Sequence, residues 1–525
     1  MTLISDLYHS HWIVTFLVFF PGLAGLLCLF IPARRVKRVA FYAALIEFLV
    51  SAPLFWTFTI GDTSFQNFVS IPWVPDWGIA YSVGVDGISL LLILLTTFLL
   101  PISVLVSWEQ INEKEPAYYA MLLLLGTGML GVFVALDLFL FYVFWEVTLI
   151  PMYFLIGVWG HNRRIYAAVK FFLYTAFGSL LMLVALLVLF WLHLDQFGVP
   201  SFAYADLLRV SVPVALRYWL FLGFALAFAI KVPLFPFHTW LPDAHVEAPT
   251  AGSVLLAAVL LKMGVYGFLR FAIPLFPEVA LDQRVILVML VLCLLGIIYT
   301  AWVAAVQPNI KKLIAYTSVA HLGFIVLGIF AMTGASVTGG IIQMVNHGLS
   351  TGTLFILAGL LYQRRHTYEI SDYGGLAKVV PLFCAALVVT ALASIGLPGL
   401  NGFVGEFLIL LGAFQKYPWM TLLSATGVIF AAYYLLPMIR RVVWNALDKP
   451  ENEKLIDLTR LELAVVVPLL LLMVLIGVYP KPFLDRIAPS AEALAEQIYS
   501  ARQLRHDPVE GRLVLRDAPS GRERR

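Results

Sequence analysis

The chain has 525 residues, of which 61% are hydrophobic and only 12% are charged. Soluble domains carry about 25% charged residues, and no soluble core hides this much apolar surface from water. The composition therefore excludes soluble enzymes, nucleic-acid-binding proteins and disordered scaffolds. The net charge of +3 comes from seven basic and four acidic residues after Tyr499, so no basic patch points to a nucleic-acid partner.

Apolar runs between charged or turn-rich breaks predict an all-α polytopic membrane protein with about fourteen transmembrane helices in a lipid bilayer. The predicted spans are 12–32, 38–58, 87–106, 117–136, 138–157, 168–192, 217–240, 252–272, 285–305, 311–331, 338–361, 380–412, 420–440 and 462–480. Basic pairs occupy alternate loops, at Arg34, Arg35, Arg163, Arg164, Lys311, Lys312, Arg364, Arg365, Arg440 and Arg441. The positive-inside rule places these loops in the cytoplasm and both termini outside.

An internal repeat is the next feature. A shift of 175 residues places Glu146 on His321 and Lys231 on Glu406. Two units of five helices explain this shift, and an odd number of helices inverts the second unit in the membrane. Inverted repeats with interrupted helices are typical of secondary transporters. Prolines and glycines at 231–236 and 397–402 predict the two discontinuous helices.

The predicted organisation has five parts. Residues 1–116 hold helices 1–3, residues 117–272 the first repeat, and residues 285–441 the second, inverted repeat. Residues 442–487 hold the last transmembrane helix. Residues 488–525 form a polar, basic tail, interpreted as a surface helix or a disordered end.

Several ionisable residues fall inside the apolar spans, where each charge costs roughly 2.5–3.5 kcal/mol. Glu146, Lys231, Lys262 and Glu406 lie well inside, and alternating acids and bases are suited to proton transfer. His321 and His347 are candidate relays because imidazole titrates near neutral pH. The other buried charges, Glu47, Asp137 and Lys170, are interpreted as structural or interfacial.

The segment from His238 to Glu247 contains four potential metal ligands, but their spacing matches no zinc motif. Pro242 and Pro249 favour a turn, so we interpret the segment as a loop that closes the cytoplasmic side, with a water-filled entrance near His238. The three cysteines are far apart, and without CxxC spacing they predict no iron–sulfur or zinc site.

Two segments of the sequence are similar to those of a known protein family. The run from His238 to Ser253 and the segment around Lys262 closely resemble chain M (subunit 4) of respiratory complex I, the proton-pumping NADH:quinone oxidoreductase. The resemblance covers the chain essentially to Pro480. It implies that Glu146 pairs with Lys231, that Lys262 is the central lysine, and that His321 and His347 are relays leading to Glu406.

The resemblance also implies what lies elsewhere. NADH, FMN, iron–sulfur clusters and quinone are expected on partner subunits, which include two sibling antiporter-like chains. The siblings, and the related multisubunit sodium/proton antiporters, typically carry lysine where this chain has Glu406. The loop charges and the Ala-Pro-Thr-Ala-Gly-Ser sequence suggest the bacterial inner (plasma) membrane.

Three alternatives remain open. The first is a subunit of a multisubunit sodium/proton antiporter, which lysine at position 406 would favour. The second is a membrane anchor whose buried charges only stabilise the helix bundle. The third, a quinone site in this chain, has no sequence feature that supports it.

Overall fold

The computed structural model describes Tyr8, residues 12–506 and residues 513–515. Within these residues the fold is a bundle of helices, and eleven of them are long and apolar enough to cross a membrane. Four shorter apolar helices complete the bundle. Each of the fourteen predicted spans overlaps a helix, so the all-α membrane fold is confirmed. The number of membrane crossings and the inverted repeat remain predictions.

The helices of the first half are α1 Trp12–Cys28, α2 Ala33–Ser51, α3 Leu90–Val106, α4 Glu115–Val134, α5 Leu138–Trp159, α6 Arg164–Phe197, α7 Val214–Lys231, α8 Trp240–Glu247 and α9 Thr250–Leu275. Those of the second half are α10 Gln283–Ala305, α11 Ile310–Ala331, α12 Gly334–Arg365, α13 Pro381–Ile395, α14 Asn401–Phe414, α15 Pro418–Trp444, α16 Arg460–Val478 and α17 Lys481–Gln503. Short helical turns are Leu54–Thr57, Pro75–Trp77, Tyr204–Leu207, Pro277–Ala280, Ile370–Asp372, Leu376–Lys378 and Pro450–Glu453.

Both predicted helix interruptions are present. Helix α7 ends at Lys231, and the chain is not helical again until α8. Helix α13 ends at Ile395 and is capped by Gly396, whose left-handed φ of +86° suits a residue without a Cβ atom, and α14 begins at Asn401. Irregular backbone of this kind is tolerated at membrane depth only where protein or water surrounds it.

The prediction of a loop between His238 and Glu247 is wrong, because residues 240–247 form helix α8. Pro242 lies in the first turn of α8, where a backbone N–H has no intrahelical acceptor, so the proline costs the helix no hydrogen bond. Pro249 follows the end of α8 and stops it. The segment is therefore a short helix that leads directly into α9.

The long loop at 59–85 carries structure that the sequence analysis did not predict. Strands β1 Gln66–Val74 and β2 Ile79–Val85 pair antiparallel within the loop at 59–85. Helix α17 contacts the chain just after this loop, where the Ser490 hydroxyl accepts a hydrogen bond from the Gly87 amide at 3.1 Å. Strand β3 Leu504–His506 follows α17 and pairs with β4 Leu513–Leu515. The rest of the predicted tail lies outside the described residues.

The centre of the bundle is formed by α9, α11 and α12. The most apolar stretches of α9 and α12 are completely buried, and that of α11 is 94% buried. Helices on the periphery expose large apolar side chains instead. In α16, for example, only 28% of the most apolar stretch is buried. Lipid is the solvent that such a surface requires. The central helices are those that carry Lys262, His321 and His347.

Candidate functional site

Lys262 lies at the middle of α9 and is completely buried. Its Nζ atom is 2.6 Å from Nδ1 of His347 on α12 and donates to the carbonyl oxygen of Ala257 at 2.5 Å. Ala257 belongs to a π-helical segment, Leu256–Leu260, and such segments occur frequently at functional sites. Lys262, the predicted central lysine, is thus in direct contact with His347, one of the two predicted relay histidines.

The polar chain continues from His347 to Glu406. The rings of His347 and His321 are 5.6 Å apart between centroids. Nδ1 of His321 is 3.1 Å from Oε1 of Glu406, and the hydroxyl of Ser394 is 3.3 Å from Nε2 of the same ring. All four of these residues are at most 4% exposed. Four of the seven predicted site residues, Lys262, His347, His321 and Glu406, therefore form one buried row across four helices.

The break before α14 is held by two asparagines that the sequence analysis did not select. Asn346 Nδ2 donates to the Asn401 carbonyl at 2.7 Å, and Asn401 Nδ2 donates to the Asn346 carbonyl at 3.1 Å. Gln343 donates to Oε1 of Glu406 at 3.3 Å. These bonds pair the amide donors of both asparagines with backbone carbonyls near the interruption, and the Gln343 bond orients the carboxylate towards His321. The Leu397–Gly402 break motif was the available signal for Asn401.

Lys231 and Glu146 form a second, looser pair. Lys231 is the last residue of α7 and is completely buried, and within the described residues its Nζ atom has no hydrogen-bond partner. The ammonium lies 5.3 Å from the ring centroid of Trp145 and within electrostatic reach of Glu146. Tyr142 also interacts electrostatically with the Glu146 carboxylate. The predicted pairing of Glu146 and Lys231 is thus electrostatic rather than a direct ion pair.

His238 lies apart from the row. Its ring is surrounded by the aromatic rings of Phe235, Tyr299 and Tyr316, at centroid distances of 5.6, 6.2 and 6.4 Å. In the part of the chain that the structure describes, no hydrogen bond links His238 to the other predicted site residues, and none links Lys231 to Lys262. Neighbouring Lys170 forms an ion pair with Asp243 at 2.7 Å, which agrees with a structural role for Lys170.

Buried charges outside the row fall into two further groups. Arg270 and Asp86 form an ion pair at 2.5 Å near the C-terminal end of α9. Lys311 is buried near Glu247 at the opposite end of α9, although the sequence analysis treated Lys311 only as a loop charge. Across the described ranges, no group of three or more His, Cys, Asp or Glu side chains is arranged to hold a metal ion.

Most of this chain is similar in sequence to known proteins. Residues 135–431 match the family described as NADH:quinone oxidoreductase/Mrp antiporter, and residues 38–137 match the amino terminus of NADH-ubiquinone oxidoreductase chain 4. NADH-quinone oxidoreductase subunit M of Rhodobacter capsulatus is 45% identical over 478 residues, covering 89% of this chain and 92% of the relative. The chain belongs to the subunit M family of complex I.

The structural comparison agrees. A chain of respiratory complex I from Thermus thermophilus with bound NADH has a TM-score of 0.85 and 36% identity, covering 92% of this chain and 99% of that one. A chain of the Mrp complex from Dietzia sp. DQ12-45-1b shares only 19% identity at a TM-score of 0.81, with 96% and 100% covered, which shows a common fold alone.

Membership of the subunit M family confirms the function predicted from sequence. The chain is a proton-translocating membrane subunit of NADH:quinone oxidoreductase and a multi-pass protein of the bacterial inner membrane. It is a subunit of an enzyme complex, and it assembles with other subunits of complex I.

Proposed function

We propose that protons cross this subunit along the row from Lys262 through His347 and His321 to Glu406. The observation that supports the proposal is the close spacing of these four buried groups, two of whose junctions are 2.6 and 3.1 Å long. A structural network alone does not require titratable groups at every position, and isolated ionisable groups inside a membrane are expensive.

The hydrogen-bond geometry gives each ring a direction of transfer. The ammonium of Lys262 donates to Nδ1 of His347, so proton transfer leaves a neutral lysine and an imidazolium that releases its other proton from Nε2. His321 accepts on Nε2, beside the Ser394 hydroxyl, and donates from Nδ1 to the Glu406 carboxylate. The two rings share no hydrogen bond in the described residues, so a water molecule completes the step between them.

Lys231 and Glu146 act beside this row in the proposal. A charge on Glu146 stabilises the protonated form of Lys231, and loss of that charge favours proton release towards Lys262. His238, buried among aromatic rings at the interruption after α7, borders the cytoplasmic end of this pair. We assign His238 a supporting role there.

The energy for transport comes from outside this chain. Moving one proton outward works against about 2.3 kcal/mol per 100 mV of membrane potential. In the proposal, quinone reduction supplies it, with NADH, FMN, iron–sulfur clusters and quinone on partner subunits. The two sibling antiporter-like chains are the proposed neighbours in the membrane.

A Lys262→Met variant tests the row. We expect the complex to assemble but to lose about tenfold or more of its coupled turnover, because one proton-transfer group contributes roughly 10²–10⁴-fold to its step. NADH-driven proton uptake into inverted membrane vesicles, measured beside NADH oxidation, is the readout. Lys454→Met, at an exposed lysine, is the matched control. Normal stoichiometry and rate in Lys262→Met would contradict the proposal.

The same vesicles test the sodium/proton antiporter alternative. Transport through this subunit should be unchanged when sodium is replaced by potassium. A strict sodium requirement, or normal function in Glu406→Lys, would favour the antiporter reading, since lysine is typical of that family at this position.

A further inference from the structure

Lys311 is a buried cation that the proposed row does not use. It occupies the first turn of α11, is 1% exposed, and donates from Nζ to the Ala248 carbonyl at 2.6 Å and to the Val246 carbonyl at 3.4 Å. Both carbonyls lie where α8 turns into α9. Lysines are almost never fully buried without a partner, so this position needs an explanation.

A carboxylate connects Lys311 to the cytoplasmic surface. Glu247 is 8% exposed, interacts electrostatically with Lys311, and accepts a hydrogen bond from the Arg163 amide at 2.8 Å. His161 lies in the neighbouring loop outside the membrane spans. Burial, together with the positive charge of Lys311, lowers the pKa of His161 to about 4, so this imidazole is neutral at pH 7. Glu247 is the acidic side chain that interacts with Lys311.

Lys311 also interacts electrostatically with His245. This histidine of α8 is completely buried and stacks on Phe355, with ring centroids 4.4 Å apart and planes 15° apart. Neither of its ring nitrogens has a hydrogen-bond partner among the described residues. Leaving two buried polar atoms unpaired costs free energy that an apolar ring would avoid. Packing alone does not explain a histidine here.

His245 connects the two lysines electrostatically. It is within electrostatic reach of both Lys311 and Lys262, and it also interacts with His347. Three titratable groups, Glu247, Lys311 and His245, thus lead from the basic, cytoplasmic side to the start of the row. They reach it from α8 and α11, without passing Lys231 on α7.

We propose that Glu247, Lys311 and His245 form a second inlet that delivers protons from the cytoplasm directly to Lys262. The ammonium of Lys311 gives one proton to His245, which passes it to neutral Lys262, and Lys311 is reprotonated from water at Glu247. No electrons move, and each group returns to its starting state. The inference rests on the proposed function of Lys262 as the head of the outward row.

The competing role for Lys311 is that of a structural anchor for the turn between α8 and α9. A Lys311→Arg substitution separates the two roles. Arginine keeps the positive charge and the donors for the carbonyls of Val246 and Ala248, but it does not release a proton at physiological pH. An anchor tolerates this exchange, whereas a proton carrier does not.

The experiment uses the assembled complex in inverted vesicles with Lys311→Arg and His245→Phe. The phenylalanine ring preserves the stack on Phe355, so assembly is expected. We expect each variant to lose about tenfold or more of coupled NADH turnover and proton uptake. Lys312→Arg, on the next and partly exposed residue, is the control and should behave as wild type.

The outcomes separate this inference from the proposal on which it rests. Normal pumping in Lys311→Arg or in His245→Phe overturns the inlet. If Lys262→Met is defective in the same assay, the row is retained; if it also pumps normally, the row fails too. Should the larger arginine prevent assembly, His245→Phe and the smaller change His245→Gln decide the question.

Discussion

At the scale of single residues, the position of Glu406 depends on a glycine. Gly396 caps the C-terminal end of α13 with a φ of +86°, and a Cβ atom added there would lie 2.7 Å from Oε2 of Glu406. The same turn contains Gly399, with a φ of +91° and no atom within 4 Å of an added Cβ. The two glycines share a backbone conformation but differ in their distance from the carboxylate.

This difference gives a matched test. Both Gly396→Ala and Gly399→Ala should lower stability by roughly 1–2 kcal/mol, the cost of a left-handed conformation for an L-residue. Gly396→Ala should also displace the carboxylate from His321 and reduce proton pumping. Thermal unfolding of the purified complex and vesicle pumping measure the two effects. Equal pumping in both variants would show that the contact with Glu406 is unimportant.

At the scale of elements, the sequence predicts helices better than their contacts. Long apolar runs identify the spans, and clustered prolines and glycines identify both interruptions. The hairpin β1–β2 was not predicted because its strands lack clear alternation, and α8 was missed because its prolines resemble those of a turn. The contact between Lys262 and His347 joins residues 85 positions apart, and such pairings depend on helix packing that a single sequence does not specify.

The C-terminal end of α9 supports a prediction about an element. Arg270 forms a buried ion pair with Asp86, which also accepts the Ile88 and Ser89 amides at 3.1 and 3.0 Å just before α3. Replacing Asp86 by Asn leaves the Arg270 charge uncompensated, which costs roughly 3–5 kcal/mol. We expect less assembled complex on a native gel and earlier thermal unfolding. The double variant Asp86→Leu with Arg270→Met should recover part of the loss, and an Asp86→Asn complex as stable as wild type would argue against this anchoring role.

At the scale of the whole molecule, the proposed row joins its two halves. Lys262 belongs to α9 in the first half, whereas His347, His321 and Glu406 belong to α12, α11 and α14 in the second. The shift of 175 residues relates Glu146 with Lys231 to His321 with Glu406, so an acid and a base meet in each half with their order exchanged. In the proposed mechanism, protons that reach Lys262 by either inlet leave through the second half.

Proton transfer along the proposed row is a series of steps, so the effects of two substitutions that block it are not independent. If Lys262→Met and Glu406→Gln each reduce coupled proton uptake about tenfold, the double variant should remain near that level, because blocking a path twice removes nothing further. Independent contributions would instead multiply to roughly a hundredfold loss. The comparison requires equal assembly of all three complexes, and the exposed change Lys454→Met added to Glu406→Gln controls for the extra substitution. A multiplicative loss in the double variant would mean that the two residues serve separate processes, which would split the row at its histidines.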